Sequence, residues 1–319
     1  MTLRHRLALW MLLAALLALP ARAEGPATDP STRADLFAVA WQQTSAEYQA
    51  LCLQTYATAG RAVESALLYG GFSRAALVVP VAGADGRITV LERPLAVVMD
   101  LDETVIDNTG YQAWMVLSGQ KFSPATWQAW VDYQSQTPAA RRSVPGAVDF
   151  IRKVEALGVK VIYVSNRDEA ARAATEKVLE AFGVSREGLE QRLLLVEQEQ
   201  RAAERLKKAL GQDFTRYASD KQARFFETLL SYHVLAYFGD NLYDFPGRVD
   251  KDTPTGPPML EARRGQVETF SREGRWGATA FALPNPMYGS WDRGTLPKGG
   301  MATSLTDYGF GEFLKSRGR

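Results

Sequence analysis

The chain has 319 residues with 37 basic and 36 acidic side chains, two histidines and one cysteine. So even a balance gives no electrostatic reason to expect a nucleic-acid polymer as partner, and Cys52 alone cannot form an intramolecular disulfide. A zinc site of several His and Cys ligands, or a Ser-His-Asp triad plus a second histidine, cannot be built from so few residues. The chemistry must fall to carboxylates, lysine, hydroxyls and a hard metal ion.

The first residues read as an export signal. "MTLRHR" is basic, "LALWMLLAALLALP" is a short apolar run, and "ARA" before Glu24 has the small-x-small pattern of a cleavage site. The run is too short for a membrane span, and nothing later resembles one. Residues 1–23 are therefore expected to be removed, which takes His5 away and leaves His233 as the one histidine. No cysteine follows the cleavage point, so the sequence favours a free periplasmic or secreted protein over a lipid-anchored one. Residues 24–33 form a polar, mobile segment, and residues 34–319 a single domain.

From Ala34 to about Leu68 the apolar residues recur at helical spacing, with Cys52 as a small apolar member. "AALVVPVAGADGRITVLERPL" reads as two short strands around Gly83–Gly86. Beyond it, strand-like runs alternate with helical ones: "LAVVMD", "KVIYVSN", "RLLLVEQ", "VLAYFGD" and "TAFALPN". Between the first two lies "PGAVDFIRKVEALG", with Pro145 expected in the first helical turn and Gly158 as its stop. Apolar strands separated by helices predict an α/β fold, a parallel sheet covered on both faces. Ligands of such sheets bind beyond the carboxyl ends of the strands. Asp100 and Asp102, Ser165, and Asp240 with Asp244 fall at those ends. An insertion of about 108–144 carries Tyr111, Trp114, Phe122, Trp127, Trp130 and Tyr133, and reads as a small cap or an aromatic mini-core. The run "EQEQRAAERLKKALGQD" reads as a solvated helix face with paired charges, and His233 as a structural residue opening a strand.

"PLAVVMDLDETVIDN" passes abruptly from a strand fit for burial on both faces to four acids: Asp100, Asp102, Glu103 and Asp107. A carboxylate held at a strand end can attack phosphorus. A second one two residues on would lie on the same side of an extended chain, placed to protonate the departing alcohol. Such carboxylates repel a phosphate unless cations intervene, and Mg²⁺ suits because it prefers oxygen ligands and keeps several waters. Further along, Ser165 could donate to a phosphoryl oxygen and Lys221 in "ASDKQARFF" could neutralise the transferred group. Asp240 and Asp244 in "YFGDNLYDF" could give one metal ligand and one acid that orients the metal's waters.

In this order the motifs resemble the haloacid dehalogenase superfamily of phosphotransferases. "WQQTSAEYQALCLQTYATA", "DLDETVIDNTGYQAW", "SVPGAVDF", "YVSNR", "FGDNLYDF" and "LPNPMYGSW" narrow the resemblance to the class C, nonspecific acid phosphatases and lipoprotein 5′-nucleotidases. It runs from about Trp41 to Trp291. The resemblance implies a Rossmann-like sheet, Asp100 as nucleophile and Asp102 as general acid and base. It implies Mg²⁺ held by Asp100, the Asp102 backbone carbonyl and Asp240 with support from Asp244, and phosphate held by Ser165 and Lys221. Tyr111, Trp127 and Tyr288 correspond to aromatic residues that pack against a nucleoside or aryl leaving group. Homodimers occur in this family. Asp107, Asn108, Asn166, Arg167 and Asn241 read as hydrogen-bonding structure around the motifs. The rival reading is a catalytically silent envelope binding protein, a haem or nicotinamide nucleotide carrier or an adhesin. Nucleophile and acid placed side by side are unexplained by binding alone.

Overall fold

The computed structural model describes residues 30–69, 76–82, 88–211, 221–247 and 253–291. The expected signal and most of the polar segment after it lie outside the described residues. Among the described residues, no helix is long and apolar enough to cross a membrane.

Two helices open the chain, α1 (Pro30–Thr44) and α2 (Ala46–Tyr69). They replace the single helix expected from Ala34, and α1 takes in the end of the polar segment. The break falls at Ser45, whose hydroxyl accepts from the Tyr48 N–H at 3.0 Å and so caps α2. Strands β1 (Ala76–Ala82) and β2 (Ile88–Met99) pair antiparallel. β2 is one strand of 12 residues where two were expected. Its first half pairs with β1, and from Leu95 onward it pairs with β5 and β7 instead. Pro94, which has no N–H to donate, stands where the partners change.

A two-residue ribbon of β3 (Ile106–Asp107) and β4 (Arg142–Ser143) closes the base of the aromatic insertion. The insertion itself is α3 (Thr109–Ser118) and α4 (Pro124–Gln136). Then follow α5 (Ala147–Ala156), β5 (Lys160–Val164), α6 (Arg172–Ala181), the single turn α7 (Leu189–Arg192) and β6 (Leu193–Leu194). α5 starts after Gly146 at φ 85°, so Pro145 precedes the helix rather than opening it. The last elements are α8 (Gln198–Leu210), α9 (Gln222–Ser231), β7 (His233–Gly239), α10 (Pro257–Arg272) and β8 (Ala280–Ala282).

The main sheet runs β6-β5-β2-β7-β8, every pair along it parallel. Alternation along β2 sends Val97 and Met99 to one face, against residues of α2, α5 and α6, and Ala96 and Val98 to the other, against Phe225 of α9 and Phe270 of α10. The α/β fold with helices on both faces therefore stands as expected.

Phe238 on β7 holds the first face together, with ring centroids 4.8 Å from Phe150, 5.0 Å from Phe281 and 5.9 Å from Tyr56. Truncation to alanine would empty the middle of that stack. Phe238→Ala is expected to lower the unfolding free energy by about 3–5 kcal/mol, read as a fall in the urea midpoint.

Candidate active site

The strand ends converge. The Asp100 N–H donates to the Phe238 carbonyl at 3.0 Å and the Ser165 N–H to the Leu194 carbonyl at 3.0 Å, so β6, β5, β2 and β7 finish side by side. Past Met99 the chain does not stay extended. It coils over Leu101, whose carbonyl accepts from the Val105 and Ile106 N–H groups at 2.8 Å each, with Glu103 in the left-handed region at φ 59°. Asp100 and Asp102 line one pocket because of this turn, not because of strand alternation. The turn is anchored from the far side, where the Tyr56 hydroxyl donates to the Thr104 carbonyl at 2.5 Å.

Lys221 sits at the start of α9 in the left-handed region, φ 68°, and its ammonium is buried against two acids. It donates to Asp100 Oδ1 and to Asp244 Oδ1, the latter at 2.8 Å. Residues 121 positions apart in sequence therefore share a hydrogen bond. Asp244 is fixed by the short 3₁₀ turn Leu242–Asp244, its Oδ2 accepting from the Asn241 N–H at 2.9 Å. Gly239 makes this possible: a Cβ there would lie 2.1 Å from the Asp244 Cβ. Asp240 Oδ2 accepts from the Asn285 amide at 2.7 Å.

Carboxylate oxygens of Asp100, Asp240 and Asp244 all lie within 4.8 Å of one another. Lys221 touches Asp100 and Asp244, and Asp102 is occupied by Arg167, whose Nη2 donates to Asp102 Oδ1 at 2.7 Å. The donor set is all oxygen and negative in excess of its lysine, which suits a hard divalent cation. The electrostatics agree. Burial first, with Asp244 and Asp102 adding to it against Lys221, pushes the Asp100 carboxyl up to about 7. Burial, then Asp244 and Asp100, raises Asp240 well above the ordinary range. Burial alone would pull Lys221 down, but Asp100 and Asp244 together hold it above its usual value.

The pocket has a volume of about 410 Å³ and an aromatic wall that includes Tyr111, Phe122, Trp127 and Tyr288. Tyr111 is also the hub of a ring cluster with Trp114, Phe122, Trp127 and Trp130, at centroid distances of 5.3–6.4 Å. The insertion is thus a mini-core and a pocket wall at once. Ser165 stands back from the wall, fully buried, its hydroxyl accepting from the Arg167 N–H at 3.1 Å. Its neighbours Asn166 and Arg167, read as supporting structure, line the pocket instead.

Two supports escaped the sequence. Glu199, placed in a solvated charge run, is buried and accepts from the Arg224 guanidinium at 2.5 Å and the Ala223 N–H at 2.7 Å. Arg224 also donates to the Ser165 carbonyl at 2.5 Å and to Asn166 Oδ1 at 2.7 Å. This ties the helix that begins at Lys221 to the end of β5. Asn285 is the other; its only signal was its place in "LPNPMYGSW".

The raised Asp100 carboxyl has a consequence for the cation-free protein. An acid that binds its proton more tightly when folded contributes stability at low pH and loses it as pH rises from the ordinary carboxylate range to the raised value. In chelator, Asp100 therefore opposes folding at neutral pH. Asp100→Asn is expected to melt higher than the parent near pH 7.5, with the gap closing toward about pH 4. Thermal melts followed by circular dichroism in EDTA would check it; a variant that melts lower at neutral pH contradicts it.

Comparison with known proteins supplies the context. The family model "HAD superfamily, subfamily IIIB (Acid phosphatase)" matches residues 23–291. The chain is similar to the class C acid phosphatase from Bacillus anthracis, 27% identical with a TM-score of 0.61, the match covering 86% of this chain and 94% of that one. A crystal structure of that enzyme with tungstate bound gives 26% identity and a TM-score of 0.60, over 89% and 96% of the two chains. An α/β sheet with its acids gathered at the strand ends and a family match over most of its length place the chain in HAD subfamily IIIB: it is a phosphomonoesterase of the class C acid phosphatase type.

Proposed function

We propose that the chain hydrolyses phosphate monoesters through an aspartyl-phosphate on Asp100, in a Mg²⁺-dependent reaction. The observation that carries this reading is the convergence of Asp100, Lys221, Asp240 and Asp244 in one buried cluster that opens into the pocket.

Asp100 attacks phosphorus, and the bond from phosphorus to the ester oxygen breaks. Asp102 gives that oxygen its proton, so that the leaving group departs as an alcohol. Asp102 then takes a proton from the water that hydrolyses the aspartyl-phosphate. Lys221 lies against Asp100 and neutralises charge on nucleophile and transferred group together. Ser165, whose hydroxyl accepts from the Arg167 N–H and keeps its own proton to give, donates to a phosphoryl oxygen. Asp100 and Asp240, with the Asp102 backbone carbonyl, would hold Mg²⁺, and Asp244 would order its waters; the bound ion supplies positive charge to the phosphoryl oxygens. A positive charge beyond Lys221 is also what leaves a carboxyl raised to about 7 ionised in acidic solution.

The aromatic wall suits a flat leaving group, so nucleoside 5′-monophosphates and aryl phosphates are the proposed substrates, with Tyr111, Trp127 and Tyr288 packing on the ring. Tungstate, bound in one solved relative, is a tetrahedral oxyanion shaped like phosphate. Residues 1–23 would send the enzyme out of the cytoplasm.

Release of p-nitrophenol from its phosphate ester, with Mg²⁺ and then with EDTA, tests the reading. Turnover should need the cation, and kcat/KM should be highest in acidic solution, as expected of a member of an acid phosphatase family; a rate rising continuously above neutrality would contradict that part. Asp100→Asn should abolish turnover while the fold persists; substantial residual activity would show the nucleophile misassigned. No turnover under any metal condition would favour a binding protein instead. Gly239→Ala, which touches no substrate, should displace Asp244 by an ångström or so and cost about 100-fold in kcat/KM.

A further inference from the structure

Asp102 is held by more than its arginine. Asn108 Nδ2 donates to Asp102 Oδ1 at 2.9 Å, and Arg167 adds Nη2 at 2.7 Å and Nε at 3.1 Å to the same oxygen. Among the described residues Oδ2 has only the longer contact from Arg167 Nε, at 3.3 Å. Three donors crowd Oδ1, so no proton can sit there facing them. Oδ2 is the oxygen left to carry one.

Asn108 itself is set from outside the catalytic loop. Trp130 on α4 donates its indole N–H to Asn108 Oδ1 at 3.0 Å. An indole nitrogen only donates and a carboxylate only accepts, so an amide between them has one permitted orientation: oxygen toward Trp130, nitrogen toward Asp102. Glu103 reinforces it, its Oε1 accepting from the Asn108 N–H at 2.7 Å and its Oε2 from Nδ2 at 3.4 Å. The indole has its own seat. At Gly110 a Cβ would lie 2.5 Å from the Trp130 ring, so only glycine leaves room for it there. On the other side Arg167 is locked by Thr175, which accepts from its Nη1 at 2.9 Å, and lies over the Trp127 ring at 5.6 Å.

We propose that Trp130, acting through Asn108, is a positioning residue for the proton donor: it fixes the Asn108 amide so that Oδ1 of Asp102 is occupied and Oδ2 delivers the proton to the departing oxygen. The proposal rests on Asp102 acting as general acid, as argued above. In that step the aspartate–phosphorus bond forms, the phosphorus–oxygen bond of the ester breaks, and the proton on Oδ2 moves to the freed oxygen. The aromatic insertion thereby does more than receive a ring. It sets the aim of the acid.

Ring-substituted phenyl phosphates separate this role from a merely structural one. Their shapes are alike while their phenoxides differ in how much they need a proton to leave, and kcat/KM reports the step in which they leave. Trp130→Phe keeps the ring and removes the donor. It is expected to lower kcat/KM for phenyl phosphate by about 10–100-fold, a share of what a general acid contributes, and for p-nitrophenyl phosphate far less. Asn108→Asp keeps an acceptor for the indole but loses the donor to Asp102, and should steepen the dependence on leaving group further. Gly110→Ala, which evicts the ring, should reproduce the Trp130→Phe pattern. Equal losses across the series in all three variants, or no loss in any, would overturn the relay. Asp100→Asn run beside them keeps the two ideas apart: if it retains turnover the aspartyl-phosphate reading falls, whatever the slopes show.

Discussion

Burying several carboxylates together is the constraint around which this molecule is arranged. Charges removed from water cost heavily unless they are paired, yet among the described residues Asp100 and Asp244 share Lys221 and Asp240 beside them has the amide of Asn285. The cluster stands at the carboxyl end of a parallel sheet, where each acid is delivered by a different strand or turn and none can retreat. β2 brings Asp100, β7 brings Asp240, and a 3₁₀ turn folded over Gly239 brings Asp244. The rest of the sheet serves as the rigid base that such a repulsive arrangement needs. In a softer scaffold these side chains would swing apart into solvent.

That base is tied in places remote from the acids. Glu199 and Arg224 form a fully desolvated pair whose loss of one partner would strand a charge, at a cost of roughly 3–5 kcal/mol. Its use lies in what else Arg224 grips: the Ser165 carbonyl and the Asn166 side chain. Helix α9, which begins next to Lys221, is thereby locked to the end of β5. Tyr56 plays a comparable part beneath the first turn, reaching from α2 to the Thr104 carbonyl. Helix α2 is therefore not an appendage but a buttress for the turn that carries Asp100 and Asp102.

Much of this was legible in the sequence, for a physical reason. The strands are short apolar runs and the acids follow them directly, so the sequence of strands along the chain and the placing of Asp100 and Asp240 at their ends emerge from local pattern, whereas Lys221, which opens a helix, stands out only by its place between the other motifs. What the pattern hides is whatever depends on distant partners. Glu199 lies among charges that do face water, and only Arg224, 25 residues on, makes it a buried anchor. Helix periodicity runs straight through Ser45 because a capping hydroxyl changes no hydrophobic spacing. β2 continues past Pro94 because its partners change there; in the sequence the proline reads as the end of one strand, since the new partners lie far along the chain. Residues 83–87, the expected turn before β2, lie outside the described residues.

Asp100 and Asp102 show how a fold gives two neighbouring acids different work. Asp100 faces Lys221 and other carboxylates, an all-oxygen environment that suits a divalent cation and, in the proposed reaction, the attack on phosphorus. Asp102 faces Arg167 and Asn108, donors that occupy one oxygen and leave its partner free. The two cations do not overlap in function: Lys221 touches Asp100 and Asp244, Arg167 touches Asp102. Exchanging those neighbours would exchange the proposed roles, since a carboxyl group takes its role from the charges and donors fixed around it. The two-residue spacing of the acids is thus the lesser part of the design. The greater part is the turn over Leu101, which swings one acid toward the lysine's side of the pocket and the other toward the arginine's.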